Sequence, residues 1–302
     1  FWGLNVLRKG QGGAANGARG HREARKRNRY MPGTGSTGHS GNITRSPMRY
    51  ALISDIHGNL PALDAVLADI ATRPEVAATH HLGDLVGYSP WPNEVVARLA
   101  ERGITGVSGN YDSTVAFAYK HCGCRSESPR QEELAHISFA WTCAHTTEPS
   151  KRMLAALPYR LDLSPRGGHV AGPTVTLVHA TPVNNLVYVT EDRPDAFLLK
   201  QAEAARLKAG DVLAFGHTHK PWTRVVDGIR FINTGSVGRP KDGDWRAGYV
   251  LLDVGTEETQ VEFVRVPYDV ESAARGVIAA GLPEEFAEFL RTGGKPTPVA
   301  TA

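Results

Sequence analysis

From residue 49 onward, apolar residues recur in two rhythms, and each switch between them marks a change of element. Tyr50-Ala51-Leu52-Ile53-Ser54 is a short, largely apolar run that stops at a polar turn, as expected of a strand. Leu63, Val66, Leu67 and Ile70 then follow the spacing that makes one helical face apolar, with Asn59 placed to cap that helix and Pro61 in its first turn. A strand ending at His80-His81-Leu82, a helix over 93–102 and a strand over 104–107 repeat the unit. Strand and helix in alternation predict parallel neighbouring strands with helices packed on them.

Residues 111–158 break this rhythm. Their sequence is mostly helical, notably over 131–145 with Leu134, Ile137, Phe139 and Trp141, and it reads as a helical insertion able to restrict substrate shape. Strands return at 175–179 and 212–215, separated by a helix over 195–208. A hairpin at 222–233 is expected to turn at Gly228. The alternating runs 247–254 and 260–266 are expected to complete a second, largely antiparallel sheet, and residues 293–302 to fray.

The charge is uneven. Residues 1–47 hold nine Lys or Arg and one acid, so they carry +8 and the rest of the 302 residues carries −5. The extension is rich in Gly, Ser and Thr, without apolar periodicity, and is expected to be a disordered basic segment. Through it the chain could bind nucleic acid; the body gives no electrostatic reason to. No apolar run approaches the roughly 20 residues of a spanning helix, so no membrane partner is expected. Three cysteines, an odd count, favour a reducing cytoplasm. Cys122, Cys124 and Cys143, with His121 and His145, have the residue types of a zinc site, but Cys-X-Cys is tighter than usual zinc spacing, and free thiols packing the insertion are the favoured reading.

The candidate chemistry sits where apolar runs end. Asp55-Ile56-His57 follows the first strand, and its two outer side chains, two positions apart, can point the same way. Gly83-Asp84, Gly109-Asn110, His179 and Gly216-His217-Thr218-His219 occupy similar ends. Carboxylate, amide and imidazole from several loops form a set that can hold two divalent ions, with a shared carboxylate between them.

In that order these segments resemble the calcineurin-like metallophosphoesterase superfamily. The resemblance implies an α/β fold, a four-layer αββα sandwich with two β-sheets flanked by helices, over residues 48–292. It implies that Asp55, His57 and His219 bind one metal, that Asn110, His179 and His217 bind the second, and that Asp84 bridges them. The stretch Phe-Ile-Asn-Thr-Gly-Ser-Val-Gly-Arg-Pro at 231–240 is similar to the small bacterial and archaeal phosphodiesterases of that superfamily. One position departs: Tyr111 stands where the family often has the His that protonates the leaving oxygen, and an unperturbed Tyr, with a pKa of about 10, is a poor donor near neutrality.

The expected activity is that of a dinuclear metal-dependent phosphoesterase cleaving phosphodiesters of nucleotide type, with a metal-bridging hydroxide attacking phosphorus. Manganese, iron or zinc suits the ligand set. Asp84, Asn110, Tyr111 and Asp112 are the catalytic candidates, with Tyr111 and Asp112 read either as substrate contacts or as braces of their loop. Asn59 either contacts substrate or caps its helix, the latter being favoured. Arg239 and Lys241 either bind phosphate oxygens or belong to a solvated loop. His80 and His81 read as packed or surface histidines. A phosphomonoesterase, a nuclease using the basic extension and a non-catalytic scaffold are the alternatives.

Overall fold

The computed structural model describes residues 47–124, 128–163, 172–255 and 258–295, so the basic extension lies outside the described residues except for Pro47. The first half runs β1 (Met48–Ile53), α1 (Leu60–Ala71), β2 (Val76–His81), α2 (Pro92–Glu101) and β3 (Thr105–Gly106). Three helices follow, α3 (Asn110–Ala116), α4 (Pro129–His145) and α5 (Glu148–Ala155), where the helical insertion is expected. The second half runs β4 (Arg160–Leu163), β5 (Val175–Val178), α6 (Asp195–Ala205), β6 (Val212–Phe215), β7 (Trp222–Val226) and β8 (Ile229–Asn233). It closes with β9 (Ala247–Val254), β10 (Thr259–Val266), α7 (Val270–Ala279) and α8 (Glu284–Thr292).

Two five-stranded sheets form, ordered β10-β9-β1-β2-β3 and β4-β5-β6-β8-β7. The expected parallel pairs β1 with β2 and β2 with β3 are present, and the β7–β8 hairpin turns at Asp227-Gly228. The expectation for β9 and β10 is corrected: β9 pairs antiparallel with β1 and β10 with β9, so both belong to the first sheet and do not extend the second. The reason lies in β9 itself, which is apolar on both faces. Ala247, Tyr249 and Leu251 pack toward the helices, while Val250, Leu252 and Val254 face the second sheet, so only a place inside the sandwich buries both sets.

Between the sheets, Leu52, Leu82, Val107, Leu177, Ala214 and Ile232 join those β9 residues in one apolar layer. A buried aliphatic side chain contributes about 1.5–3 kcal/mol, so this layer fixes the frame from which the polar loops project. On the outer faces, α1 and α2 cover the first sheet and α6 covers the second, completing the four layers. The α7–α8 hairpin, not anticipated from the sequence, has its own apolar cluster around Val277, Phe286 and Leu290. The stretch expected to fray is held at its start, where Gly243 N–H donates to Gly293 O at 2.9 Å; residues 296–302 lie outside the described residues. No described helix is long and apolar enough to cross a membrane.

Candidate metal centre and its cavity

The loops after β1, β2, β5 and β6, together with the start of α3, converge on one buried point, tied by backbone hydrogen bonds. Asp55 N–H donates to Gly83 O at 3.0 Å, His57 N–H to Asp84 O at 3.0 Å, and Gly216 N–H to His179 O at 2.8 Å. These bonds hold backbone that would otherwise relax. Asp55, His57, Asp84, His217 and His219 have φ of 51°, 51°, 53°, 65° and 60°, in the left-handed region that costs non-glycine residues on the order of 1–3 kcal/mol each. Close approach is bought with glycine at two points: a Cβ on Gly109 would strike the Asp84 carboxylate, and one on Gly216 the Asp55 carboxylate.

Two groups of ligand-type side chains result, Asp55, His57 and His219 in one and Asp84, His179 and His217 in the other. In the first, the His57 and His219 Nε2 atoms are 3.1 Å apart, and His219 Nε2 is 3.2 Å from Asp55 Oδ1. In the second, His179 Nε2 is 3.2 Å from His217 Nδ1 and 3.1 Å from Asn110 Oδ1. Asp84 Oδ2 lies between the groups, 3.7 Å from His57 Nε2 and 3.5 Å from His179 Nε2. Its Oδ1 accepts from Tyr111 N–H at 2.9 Å.

These residues fit a pair of divalent cations. A carbonyl can only accept, so Nδ1–H of His57 donates to Val86 O at 3.1 Å, that of His179 to Leu82 O at 2.8 Å, and that of His219 to Arg239 O at 2.5 Å. Each ring is thereby fixed with its Nε2 lone pair turned inward, the arrangement of a ligating histidine. Facing lone pairs about 3 Å apart repel unless a cation lies between them. Asp55 Oδ1 and His217 Nε2 are also buried without a hydrogen-bond partner.

Electrostatics agree. Burial pushes His57 and His217 well below the usual imidazole range and His219 down to about 4, so these rings are neutral at pH 7. Burial likewise pushes Asp84 up to about 7. For His179, burial is outweighed by the facing Asp84 and Asp55 carboxylates, and its pKa rises.

Some candidates brace the centre instead of facing it. Asp112 is fully buried, its Oδ1 accepting from Leu85 N–H at 2.8 Å and its Oδ2 from Gly109 N–H at 2.9 Å. Asn59 caps α1 by accepting from Ala62 N–H at 3.2 Å, and donates to Gly238 O at 2.9 Å, which leaves no free edge for substrate. The Tyr111 ring lines the cavity beside His57, but its hydroxyl donates to Ser138 Oγ at 3.3 Å and burial pushes it well above the usual phenol range. Cys122 and Cys124 correct the free-thiol expectation: separated only by Gly123, they pair with each other, and Cys143 remains a free thiol. Among the described residues no cysteine joins a metal-holding group. His81 is buried in β2 and His80 is half-buried, apart from the centre as expected.

The centre opens into a cavity of 310 Å³ that Arg239 and Lys241 also line. Its far wall comes from α4 and α8, through Leu134, Ala135, Phe286 and Phe289. Sequence reasoning missed Tyr88, Tyr188, Phe286 and Phe289. They are ordinary apolar-face or loop aromatics in one dimension and carry no local signal.

Comparison with known proteins agrees with this geometry. The chain is 30% identical over 258 residues to protein MJ0912 of Methanocaldococcus jannaschii, covering 80% of this chain and 97% of that one. It is 28% identical over 216 residues to phosphodiesterase YfcE of Escherichia coli, covering 68% of this chain and 88% of that one. A metallophosphoesterase from Sphaerobacter thermophilus superposes with a TM-score of 0.62 at 28% identity, covering 82% of this chain and 99% of that structure. Protein PH1004 from Pyrococcus horikoshii OT3 shares the fold at 23% identity, with a TM-score of 0.67 and coverage of 83% and 100%. The model of the calcineurin-like phosphoesterase superfamily domain matches residues 48–257, and the chain belongs to that superfamily.

Proposed function

We propose that this chain is a dinuclear metal-dependent phosphodiesterase acting on substrates of nucleotide type. The observation that carries the reading is Asp84 Oδ2, standing between two histidine groups in which His57, His179 and His219 turn unprotonated Nε2 atoms inward. Asp55, His57 and His219 would hold one cation, Asn110, His179 and His217 the other, and Asp84 both. Bound there, two divalent ions supply a nucleophilic water at neutral pH and neutralise charge on phosphoryl oxygens.

The chain's own groups do the rest. Backbone carbonyls keep the histidine rings oriented, Asp112 ties the Gly109 loop to the Leu85 loop, and α4 and α8 shield one side of the centre from water. The preference for diesters is supported by Tyr111. Its hydroxyl is turned to Ser138 and its pKa is raised by burial, so it offers no proton to a departing alkoxide, and general-acid help worth about 10²–10⁴ in rate is missing. Esters with acidic leaving groups suffer least from that loss. YfcE, a relative over most of the domain, carries the name phosphodiesterase.

The test is a panel of alkyl and aryl monoesters, aryl diesters, cyclic nucleotides and oligonucleotides, assayed after chelation and again with added manganese, iron or zinc. Metal-restored cleavage of diesters ahead of alkyl monoesters is expected. A protein that cleaves alkyl monoesters best would displace the reading in favour of a phosphomonoesterase.

A further inference from the structure

Arg239 does two separate things. Its backbone belongs to the centre, since its carbonyl accepts from His219 and its N–H donates to Ser236 Oγ at 2.8 Å. Its side chain serves no bond there. The guanidinium is stacked between two rings, with Cζ 3.9 Å from the Tyr88 centroid and 3.8 Å from the Phe289 centroid. Both faces are covered, which leaves the edge bearing its N–H donors. Among the described residues no carboxylate forms an ion pair with it.

Magnitudes show what this cation lacks. Cation–π contact is worth about 0.5–2 kcal/mol per ring, whereas desolvating an ion costs several kcal/mol. An anion at the free edge would restore the balance, and a planar guanidinium matches phosphate oxygens in bidentate fashion. Lys220 and Lys241 line the same cavity. The position is beside the metal centre: the Tyr88 ring that carries Arg239 on one side meets the His57 ring at 5.1 Å.

We propose that Arg239 binds a second phosphoryl group of the substrate, next to the one cleaved, and that the preferred substrates are phosphoanhydrides of nucleotide type. This rests on the phosphodiester reading, because an internal anhydride phosphorus has the two bridging and two non-bridging oxygens of a diester. Hydrolysis forms a bond from a water oxygen to that phosphorus and breaks its bond to the oxygen shared with the second phosphate. The bonding electron pair leaves on the second phosphate. One proton of the water ends on that phosphate and the other is released to solvent. A phosphate leaves as a stable anion without a general acid, which suits a site where the Tyr111 hydroxyl is turned away. Half of the clamp, Phe289, lies in α8, beyond residue 257 where the match to the superfamily domain ends.

The experiment compares adenosine diphosphate with bis(p-nitrophenyl) phosphate, which has one phosphorus and no second anion, using the manganese-loaded full chain. Charge-assisted hydrogen bonds contribute about 1.5–3 kcal/mol. Arg239→Met should therefore lower kcat/KM on adenosine diphosphate by about 10–100-fold, and by at least about tenfold more than on the aryl diester. Arg239→Lys, which keeps the charge but not the planar fork, should fall between. Methylenediphosphonate should inhibit the unaltered protein more strongly than orthophosphate, and Arg239→Lys should narrow that difference, a comparison that decides the matter even if Arg239→Met does not fold. Equal losses on both substrates, or equal inhibition by the two anions, overturns the proposal. Cleavage of the aryl diester without cleavage of adenosine diphosphate overturns it alone. Failure to cleave any diester with any metal overturns the phosphodiesterase reading as well.

Discussion

The two walls of the cavity are built on opposite principles. The metal wall comes from strand ends. Its side chains are polar, five of its backbones are left-handed, and its loops are cross-tied by hydrogen bonds, so strain and burial are imposed from the sheets behind it. The facing wall comes from α4 and the amphipathic α8, whose Leu134, Ala135, Phe286 and Phe289 reach the cavity from regular helices. On the proposed function, chemistry would reside where the backbone is over-determined, and substrate choice where it is not. Changes on the first wall should abolish turnover, whereas changes on the second should redistribute it.

The sharpest test of the first half is Asp84→Asn. It removes the one carboxylate standing between the histidine groups, and the rate should fall roughly 10³-fold, at the upper end for loss of a preorganised charge-stabilising group. Metal stoichiometry measured alongside should drop below two ions per chain. Two tightly held ions with a near-normal rate would show that Asp84 joins nothing.

Asp112→Asn should do less, and by a different route. The new amide places N–H against Gly109 N–H, leaving a buried donor unsatisfied at a cost of about 1–3 kcal/mol, or a melting temperature lower by about 2–10 °C. Turnover per bound metal should change far less than for Asp84→Asn. A large loss of turnover at full metal occupancy and unchanged melting temperature would move Asp112 from bracing to chemistry.

The same contrast explains what could be read in one dimension. The proposed metal ligands lie at short spacings at strand ends, as in Asp55-Ile56-His57 and His217-Thr218-His219, so their types and order are visible in the sequence. The sheets were legible as alternating elements, but the partner of β9 was not. Its two apolar faces say that it is buried on both sides without saying in which sheet, and only packing against β1 resolves that. Of the facing wall, the α4 segment was legible as a helical insertion, but α8 and the aromatic contacts were not, because those contacts are long-range: Tyr88 meets Phe286 at 5.4 Å across nearly 200 residues of sequence. Arg239 was visible as a candidate, but its aromatic clamp was not.

On the second wall, Phe289→Leu removes one ring from the Arg239 sandwich while keeping an apolar side chain on α8. The loss of about 0.5–2 kcal/mol of cation–π contact should appear as a several-fold rise in KM with kcat nearly unchanged, measured on adenosine diphosphate. A fall in kcat at unchanged KM would mean that α8 governs the reacting geometry, and the division between the walls would not stand.

The smallest expected effect belongs to Tyr111→Phe, and it bears on the boundary between the walls. The ring touches both, meeting His57 at 5.5 Å and Phe139 at 6.1 Å, while the hydroxyl donates to Ser138 Oγ at 3.3 Å. Removing the oxygen keeps the ring packing and deletes one neutral hydrogen bond, at a cost of about 0.5–1.5 kcal/mol of stability. Turnover on both aryl diesters and alkyl monoesters should stay within about threefold, since general-acid help is typically worth about 10²–10⁴ and none is being removed. Rates must be compared at matched metal occupancy, because Tyr111 N–H holds Asp84 Oδ1 and any shift of that loop would lower both rates together. A selective loss of about 10² or more on alkyl monoesters would mean that the hydroxyl swings from Ser138 to the leaving oxygen during turnover. In that case Tyr111 would supply the proton and belong to the reacting wall.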